Sequence, residues 1–404
     1  MRYPESMPVG SPFHARTAAL CSSLNYREWA GYYAVSAFET HHEHEYSAIR
    51  HGAGIIDISP LFKYLVTGRD AMRLIDRVVT RDMRQVVPGQ VVYTTWCDGH
   101  GKVIDDGTVA RLGDEIYRWT AADPSLRWFL EQARGLHVSV EDVSERVAAL
   151  AVQGPRSLAL LSEVTDAPIE ALKYFRVTSA TIAGVPVDVS RTGYTGDLGF
   201  EIWMPADRAE AVWDAILSVA PRHGGRPAGM LALDVARIEA GLLLTDVDFF
   251  SSRKALIEAH KYSPLEMGFE RLVHLEKAPF VGRSALRAEH RRGSPRRIVG
   301  LVIDWDAFER LHEQAGLPPQ VPAAASRVAV PLYKAGAQVG KATSTTWSPA
   351  LKQLIALATV SAEAAAIGTE LEYEVTVDAR RERAPATVVQ TPFFNPPRKT
   401  ALLV

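Results

Sequence analysis

Residues 191 to 204, Arg-Thr-Gly-Tyr-Thr-Gly-Asp-Leu-Gly-Phe-Glu-Ile-Trp-Met, constrain this chain more than any other stretch. They read as the end of one strand, a Gly-rich turn and a second strand. Gly193, Gly196 and Gly199 permit positive φ or let another group approach the backbone closely. Beyond the turn the side chains alternate, with Phe200, Ile202 and Met204 on one face and Glu201 and Trp203 on the other. A carboxylate beside a large aromatic suits a flat ligand with paired N–H donors, because two donors on one carboxylate form a charge-assisted pair. By spacing alone the same residues also describe a surface hairpin with a solvated glutamate, since turn glycines are common.

The chain has 404 residues, enough for two or three domains with sizeable cores. Apolar residues at 47% and charged residues at 23% are those of an ordinary globular protein. A net charge of −2 gives no argument for nucleic acid or an anionic membrane surface. There is no apolar run of membrane-helix length, and the first residues lack the apolar core of a secretory signal. Two cysteines, Cys21 and Cys97, are too few for a disulfide framework or a Cys-based zinc site. A reducing cytoplasm is therefore expected. In His41-His42-Glu43-His44-Glu45, His41 and His44 could share a helix face and hold a metal with Glu45. An ordinary helix leading into a strand explains the segment better, and no metal site is assigned.

Taken in order, residues 1 to 35 read as irregular. Asp70 to Val79 reads as a helix with Ala71, Leu74, Ile75 and Val78 on one face. Residues 89 to 109 read as a hairpin turning at Asp98, Gly99 and Gly101. Its second strand carries Asp105 and Asp106, although carboxylates are depleted in strands. The pleat sends them to opposite faces, so only one can face a given pocket. Asp123 before Pro124 reads as the N-cap of a helix reaching about Arg134. Residues 148 to 155 read as a buried strand entering a helix that ends near Val164. Val185 to Arg191 is the strand feeding the 191–204 hairpin. Pro205 starts a helix to about Ala220, with Val212, Trp213, Ile216 and Leu217 on its buried stripe. From Arg297 the pattern changes to short strands at 298–305, 328–333, 339–345, 355–360 and 371–377, as in a small β-barrel or jelly-roll-like domain.

These segments, in this order, resemble the folate-dependent aminomethyltransferase family, that is, the T-protein of the glycine cleavage system and its relatives. The resemblance is carried by Arg191 to Ile202, by Gln153-Gly154-Pro155, by Val103-Ile104-Asp105-Asp106, and by Asp234, Arg237, Glu239 and Gly241. Ser263 to Gly268, Phe280 to Leu286 and Thr391 to Phe394 continue it, so that it spans roughly residues 40 to 396. It implies an α+β, three-domain architecture of two interleaved α/β domains plus a C-terminal jelly-roll-like β-barrel. Domain 1 would comprise residues 1–61 and 148–230, domain 2 residues 62–147 and 231–290, and the barrel residues 291–404. The resemblance further implies tetrahydrofolate as cofactor, bound where the three domains meet. It makes Asp106 the catalytic carboxylate, with Asp105 structural. It makes Glu201 the anchor of the pterin, whose ring NH and exocyclic amine are paired donors, and Tyr194, Tyr93 and Arg237 further cofactor contacts. Read without the family, Arg237 and Glu239 describe a structural ion pair.

The chain departs from the family at Pro60-Leu61, where His-Met is usual, at Leu233, where a folate-contacting Arg is usual, and at Arg271, where a Trp is usual. The 249–262 loop is also longer. Leu cannot replace a guanidinium's donors. A kept folate core in altered surroundings implies an enzyme that moves a methyl group from a small O-, S- or N-methyl donor to N5 of tetrahydrofolate. Its partner would be that small molecule, with no nucleic acid and no membrane. One alternative is glycine-cleavage aminomethyl transfer with a lipoyl carrier protein. The other is a non-catalytic folate-binding protein, a branch whose Cys-containing motif is missing after Gly241.

Overall fold

The computed structural model describes residues 7 to 402. Strands Val177–Ile182, Val185–Ser190, Gly199–Pro205, Val147–Gln153, Ala53–Asp57 and Gly225–Pro227 lie side by side in that order. Neighbours are antiparallel except for Gly225–Pro227, which runs parallel to Ala53–Asp57. Ala148, Leu150 and Val152 face a core completed by helices Ser157–Ser162 and Ala209–Val219, where Trp213 and Ile216 are buried. Ala149 and Ala151 face a second core, with Ile49 of helix Glu43–His51 and Ala232 and Ala236 of helix Met230–Glu239. A strand covered on both faces has no solvent side, which is why residues 148 to 152 show no polar alternation.

A second sheet, antiparallel throughout, has the order Gln90–Cys97, Val103–Arg111, Ile116–Ala121, Phe62–Thr67, Ser139–Asp142. Leu74 and Ile75 of helix Ala71–Val78 pack into its aromatic core, where Trp119 and Phe129 stack with centroids 3.8 Å apart. The third unit is a closed barrel of Arg296–Ile303, Gln353–Ser361, Ala337–Ser348, Val330–Lys334, Glu370–Val377 and Arg380–Val389. Closure leaves no free strand edge. No helix of the described residues is long and apolar enough to cross a membrane.

Several local expectations are corrected. Residues 1 to 6 lie outside the described residues, but much of the segment read as irregular is ordered. It forms helix His14–Leu20 and a hairpin of Asn25–Trp29 and Tyr32–Ala37. That hairpin turns on Ala30 and Gly31 at φ 49° and 81°. An alanine in such a turn gives no signal in sequence. Trp305, read as strand, opens helix Trp305–Gln314, whose N-cap Asp304 accepts the Ala307 N–H at 2.8 Å. Helix Met230–Glu239, assigned by sequence to the second domain, packs instead with the first sheet's helix Glu43–His51. In the 41–45 segment, Glu45 accepts the N–H groups of Phe38 and Gly229 at 2.7 Å each, and His44 meets Glu39 at 3.0 Å. Among the described residues no group of His, Cys, Asp and Glu is arranged to hold a metal.

Where the units meet, the Glu239 carboxylate is the hub. It accepts from Arg50 Nε and Nη2 at 2.8 and 2.6 Å, from Tyr46 Oη at 2.6 Å and from Ser348 Oγ at 2.5 Å. Arg50 Nη1 also donates to the Thr195 carbonyl at 2.9 Å. One buried network thus joins two helices, the barrel and the Gly-rich turn.

Candidate functional site

A cavity of ≈ 2320 Å³ opens between the two sheets and the barrel. That exceeds the ~300–1,000 Å³ typical of a single small ligand, so a folate and a second reactant fit together. Its walls include Tyr93 and Asp106 from the second sheet, Tyr194, Glu201 and Trp203 from the first, and Thr391 and Lys399 from the chain that follows the barrel.

The Gly-rich turn wraps the side chain of Gln153. Gln153 Nε2 donates to the carbonyls of Thr192 and Phe200 at 3.1 and 3.2 Å, and its Oε1 accepts from Thr195 Oγ1 at 3.0 Å. A Cβ on Gly193 or Gly199 would lie 1.9 or 2.3 Å from that amide, so both glycines are required for close approach. The turn delivers Glu201 to the cavity. Glu201 Oε2 accepts from Thr192 Oγ1 at 2.6 Å, and among the described residues Oε1 has no hydrogen bond. Burial raises the Glu201 pKa, while the Thr192 hydroxyl and the Arg118 charge oppose the rise. A carboxylate in apolar surroundings with one oxygen left over is a receptor for N–H donors, which fits the aminopyrimidone edge of a pterin.

On the second sheet the two acids separate as the pleat requires. Asp105 is fully buried and accepts the N–H groups of Asp106 and Asp123 at 2.8 and 2.9 Å. Asp106 faces the cavity, and its Oδ2 accepts from Tyr93 Oη at 2.5 Å. Burial pushes the Asp106 pKa up to about 6, with the Tyr93 hydrogen bond pulling it down. Burial, aided by the Asp106 charge, holds Asp105 above the carboxylate range. Tyr194 donates to the Leu243 carbonyl, and the Asp106 charge reaches its ring. The fold thus brings Asp106, Tyr93, Tyr194 and Glu201 to one cavity.

Arg237 does not join them. It is fully buried, donating to Asp248 at 2.6 Å and to Ser344 of the barrel at 2.8 Å, so its role as a cofactor contact is corrected to a structural one. Nor does it pair with Glu239, which belongs to Arg50. The capping role of Asp123 is corrected as well. The helix runs Leu126–Gln132 with Ser125 at its N-cap position, and the Asp123 carboxylate meets Lys254 at 2.6 Å on the cavity wall. The departures at Pro60, Leu61, Leu233 and Arg271 all line the cavity. Near Leu233, Asp234 accepts from Arg327 Nη2 at 2.5 Å and from Arg27 Nη1 at 3.4 Å. These arginines come from the barrel side and the N-terminal hairpin, and no spacing in the sequence links them to the site.

Comparison with known proteins agrees with this geometry. The family model described as the GCVT N-terminal domain matches residues 12–277, and that of the glycine cleavage T-protein C-terminal barrel domain matches residues 296–395. The chain is 37% identical over 400 residues to a trimethylamine-oxide aldolase of Ruegeria pomeroyi, covering 95% of this chain and 47% of that protein. The chain thus spans about half the length of that relative. It is 35% identical over 358 residues to an aminomethyltransferase of Geobacillus thermodenitrificans, covering 87% and 89% of the two chains. The crystal structure of glycine cleavage system aminomethyltransferase T from Bartonella henselae superposes with a TM-score of 0.81 at 22% identity, covering 96% of this chain and 98% of that one, and shows the same fold.

Proposed function

The chain belongs to the glycine cleavage T-protein family, and from that premise we propose a tetrahydrofolate-dependent transferase that moves a methyl group from a small O-, S- or N-methyl donor to N5 of the folate. The observation that carries this reading is the placement of Glu201 and Asp106 on one cavity whose other walls differ from the family pattern at Pro60, Leu61, Leu233 and Arg271. Bound tetrahydrofolate would supply N5 as the acceptor. Glu201 holds the pterin edge through its unshared oxygen. Tyr93 keeps Asp106 oriented, and Asp106, mostly ionised at pH 7 with a pKa near 6, is matched to take a proton from a nitrogen acceptor. Tyr194, fixed by its bond to the Leu243 carbonyl, keeps the reactants in register between the two carboxylates. The name of the Ruegeria relative supports an N-methylated donor within this class. A cytoplasmic setting is part of the proposal.

A second reading, aminomethyl transfer with a lipoyl carrier protein, is favoured by the aminomethyltransferase relatives matched over nearly their whole length. One experiment separates the two. The protein is incubated with tetrahydrofolate and a panel of O-, S- and N-methyl donors, then with an aminomethylated lipoyl carrier. Formation of 5-methyl-tetrahydrofolate from a donor is expected. Ammonia and methylene-tetrahydrofolate from the carrier, with no product from any donor, would replace the first reading by the second.

A further inference from the structure

The rim of the cavity carries positive charge that the fold does not neutralise. Arg81, Arg271 and Lys399 line it beside Tyr174. Among the described residues none of the three has an ion-pair partner. Arg81 Nη1 reaches only the Tyr93 carbonyl, at 3.4 Å, and Lys399 Nζ lies 6.0 Å from the centre of the Tyr174 ring. The nearby acids are taken, Glu270 by Arg297 and Asp197 by Arg398 at 2.6 and 2.8 Å. The cations are close enough to disturb one another. Burial first, and then the Arg271 charge, lowers the pKa of both Arg81 and Lys399.

Like charges gathered at a partly desolvated opening are unfavourable unless an anion joins them. Here the arrangement is held in place. Arg191 Nη2 donates to the carbonyls of Arg398 and Lys399 at 3.2 Å each and to that of Ala401 at 2.7 Å, which fixes the turn bearing Lys399. The rim also lies beside the parts of the site already described. Tyr174 feels the charges of both Arg271 and Glu201, and Arg81 touches the backbone of Tyr93. A ligand anchored on Glu201 therefore leaves the cavity past these cations.

We infer that Arg81, Arg271 and Lys399 form a carboxylate subsite that takes the glutamyl tail of the folate and favours folates carrying several γ-linked glutamates, each of which adds one carboxylate. This inference rests on the folate reading above. Arg271, where the resemblance leads one to expect a Trp, is the residue most specific to this chain.

The test is calorimetric binding of tetrahydrofolate monoglutamate and triglutamate to the wild-type protein, Arg271→Ala, Lys399→Gln and the double variant. Arg271 is exposed and Lys399 only half-buried, so the folds are expected to survive, and thermal melting checks this. Wild type is expected to prefer the triglutamate by about tenfold or more at low salt, with the ratio shrinking as salt rises. The double variant is expected to bring the ratio to about one or two. Equal binding of both forms by wild type, or an unchanged ratio in the double variant, overturns the inference while leaving the folate reading intact. Failure of wild type to bind either form overturns both. If the variants keep the ratio but raise KM for a carboxylate-bearing donor, the tail assignment is overturned and the subsite belongs to that donor.

Discussion

Replacing Tyr93 by Phe isolates the one hydrogen bond that opposes burial at Asp106. The Tyr93 hydroxyl donates to Asp106 Oδ2 at 2.5 Å, and the ring packs edge-on against Phe269 with centroids 5.7 Å apart. Phe keeps that ring contact and removes only the donor. The hydrogen bond favours the charged carboxylate, so its loss raises the pKa from its starting value near 6. A hydrogen bond to a charged group is worth ~1.5–3 kcal/mol, and one pKa unit corresponds to about 1.4 kcal/mol, so the rise is about one to two units. Asp106 would then titrate at about 7 to 8 and be largely protonated at neutral pH. The direct assay is a ¹³C NMR titration of the aspartate carboxyl, assigned with Asp106→Asn, because it needs no knowledge of the donor. With a donor in hand, the acid limb of kcat/KM should move up in pH by the same amount. A midpoint that stays put or falls refutes the argument, because the hydroxyl would not be stabilising the carboxylate.

Other outcomes follow from the same geometry. Asp106→Asn is expected to stabilise the unliganded protein at pH 7. The folded pKa of about 6 lies above the ordinary 3.8, so ionisation of the native side chain costs stability above pH 6. The gain, at most about 3 kcal/mol, should fade as pH falls through that window and vanish below about pH 4 in urea titrations. Glu239→Ala strands the buried Arg50 and should cost ~3–5 kcal/mol by denaturant unfolding, whereas loss below about 1 kcal/mol would deny the hub its role. Glu201→Ala should weaken tetrahydrofolate binding by about 2–4 kcal/mol in calorimetry with little change in melting temperature, and unchanged affinity would remove Glu201 from the pterin contact.

What the sequence discloses here depends on how local the physics is. The pleat alone separates Asp105 from Asp106, and the alternation after Gly199 alone places Glu201 and Trp203 together, because both follow from a period of two. The barrel strands are visible for the same reason. Asp123 misleads because an Asp before Pro has the composition of a cap, yet its backbone N–H is drawn to the buried Asp105 and its carboxylate to Lys254. Arg237 misleads because nothing within its helix reveals that Asp248 and the barrel's Ser344 will enclose it. The rim cations Arg81, Arg271 and Lys399 lie far apart in the chain and share no pattern. Only the closed tertiary structure brings them together.

The clasp of Arg191 on the turn after the barrel also bears on biosynthesis. Arg398 grips Asp197 across 201 residues, and Arg191 reaches Ala401 across 210. Closing a loop of that length is entropically costly, and N-terminal units fold first as a chain leaves the ribosome. The two sheets can therefore be complete while one wall of the cavity is still being synthesised. A nascent chain at that stage has its two carboxylates in place but lacks Lys399 and the segment that fixes it. The ribosome thus sets the order in which this site becomes whole, and the last cation arrives only after everything it must enclose.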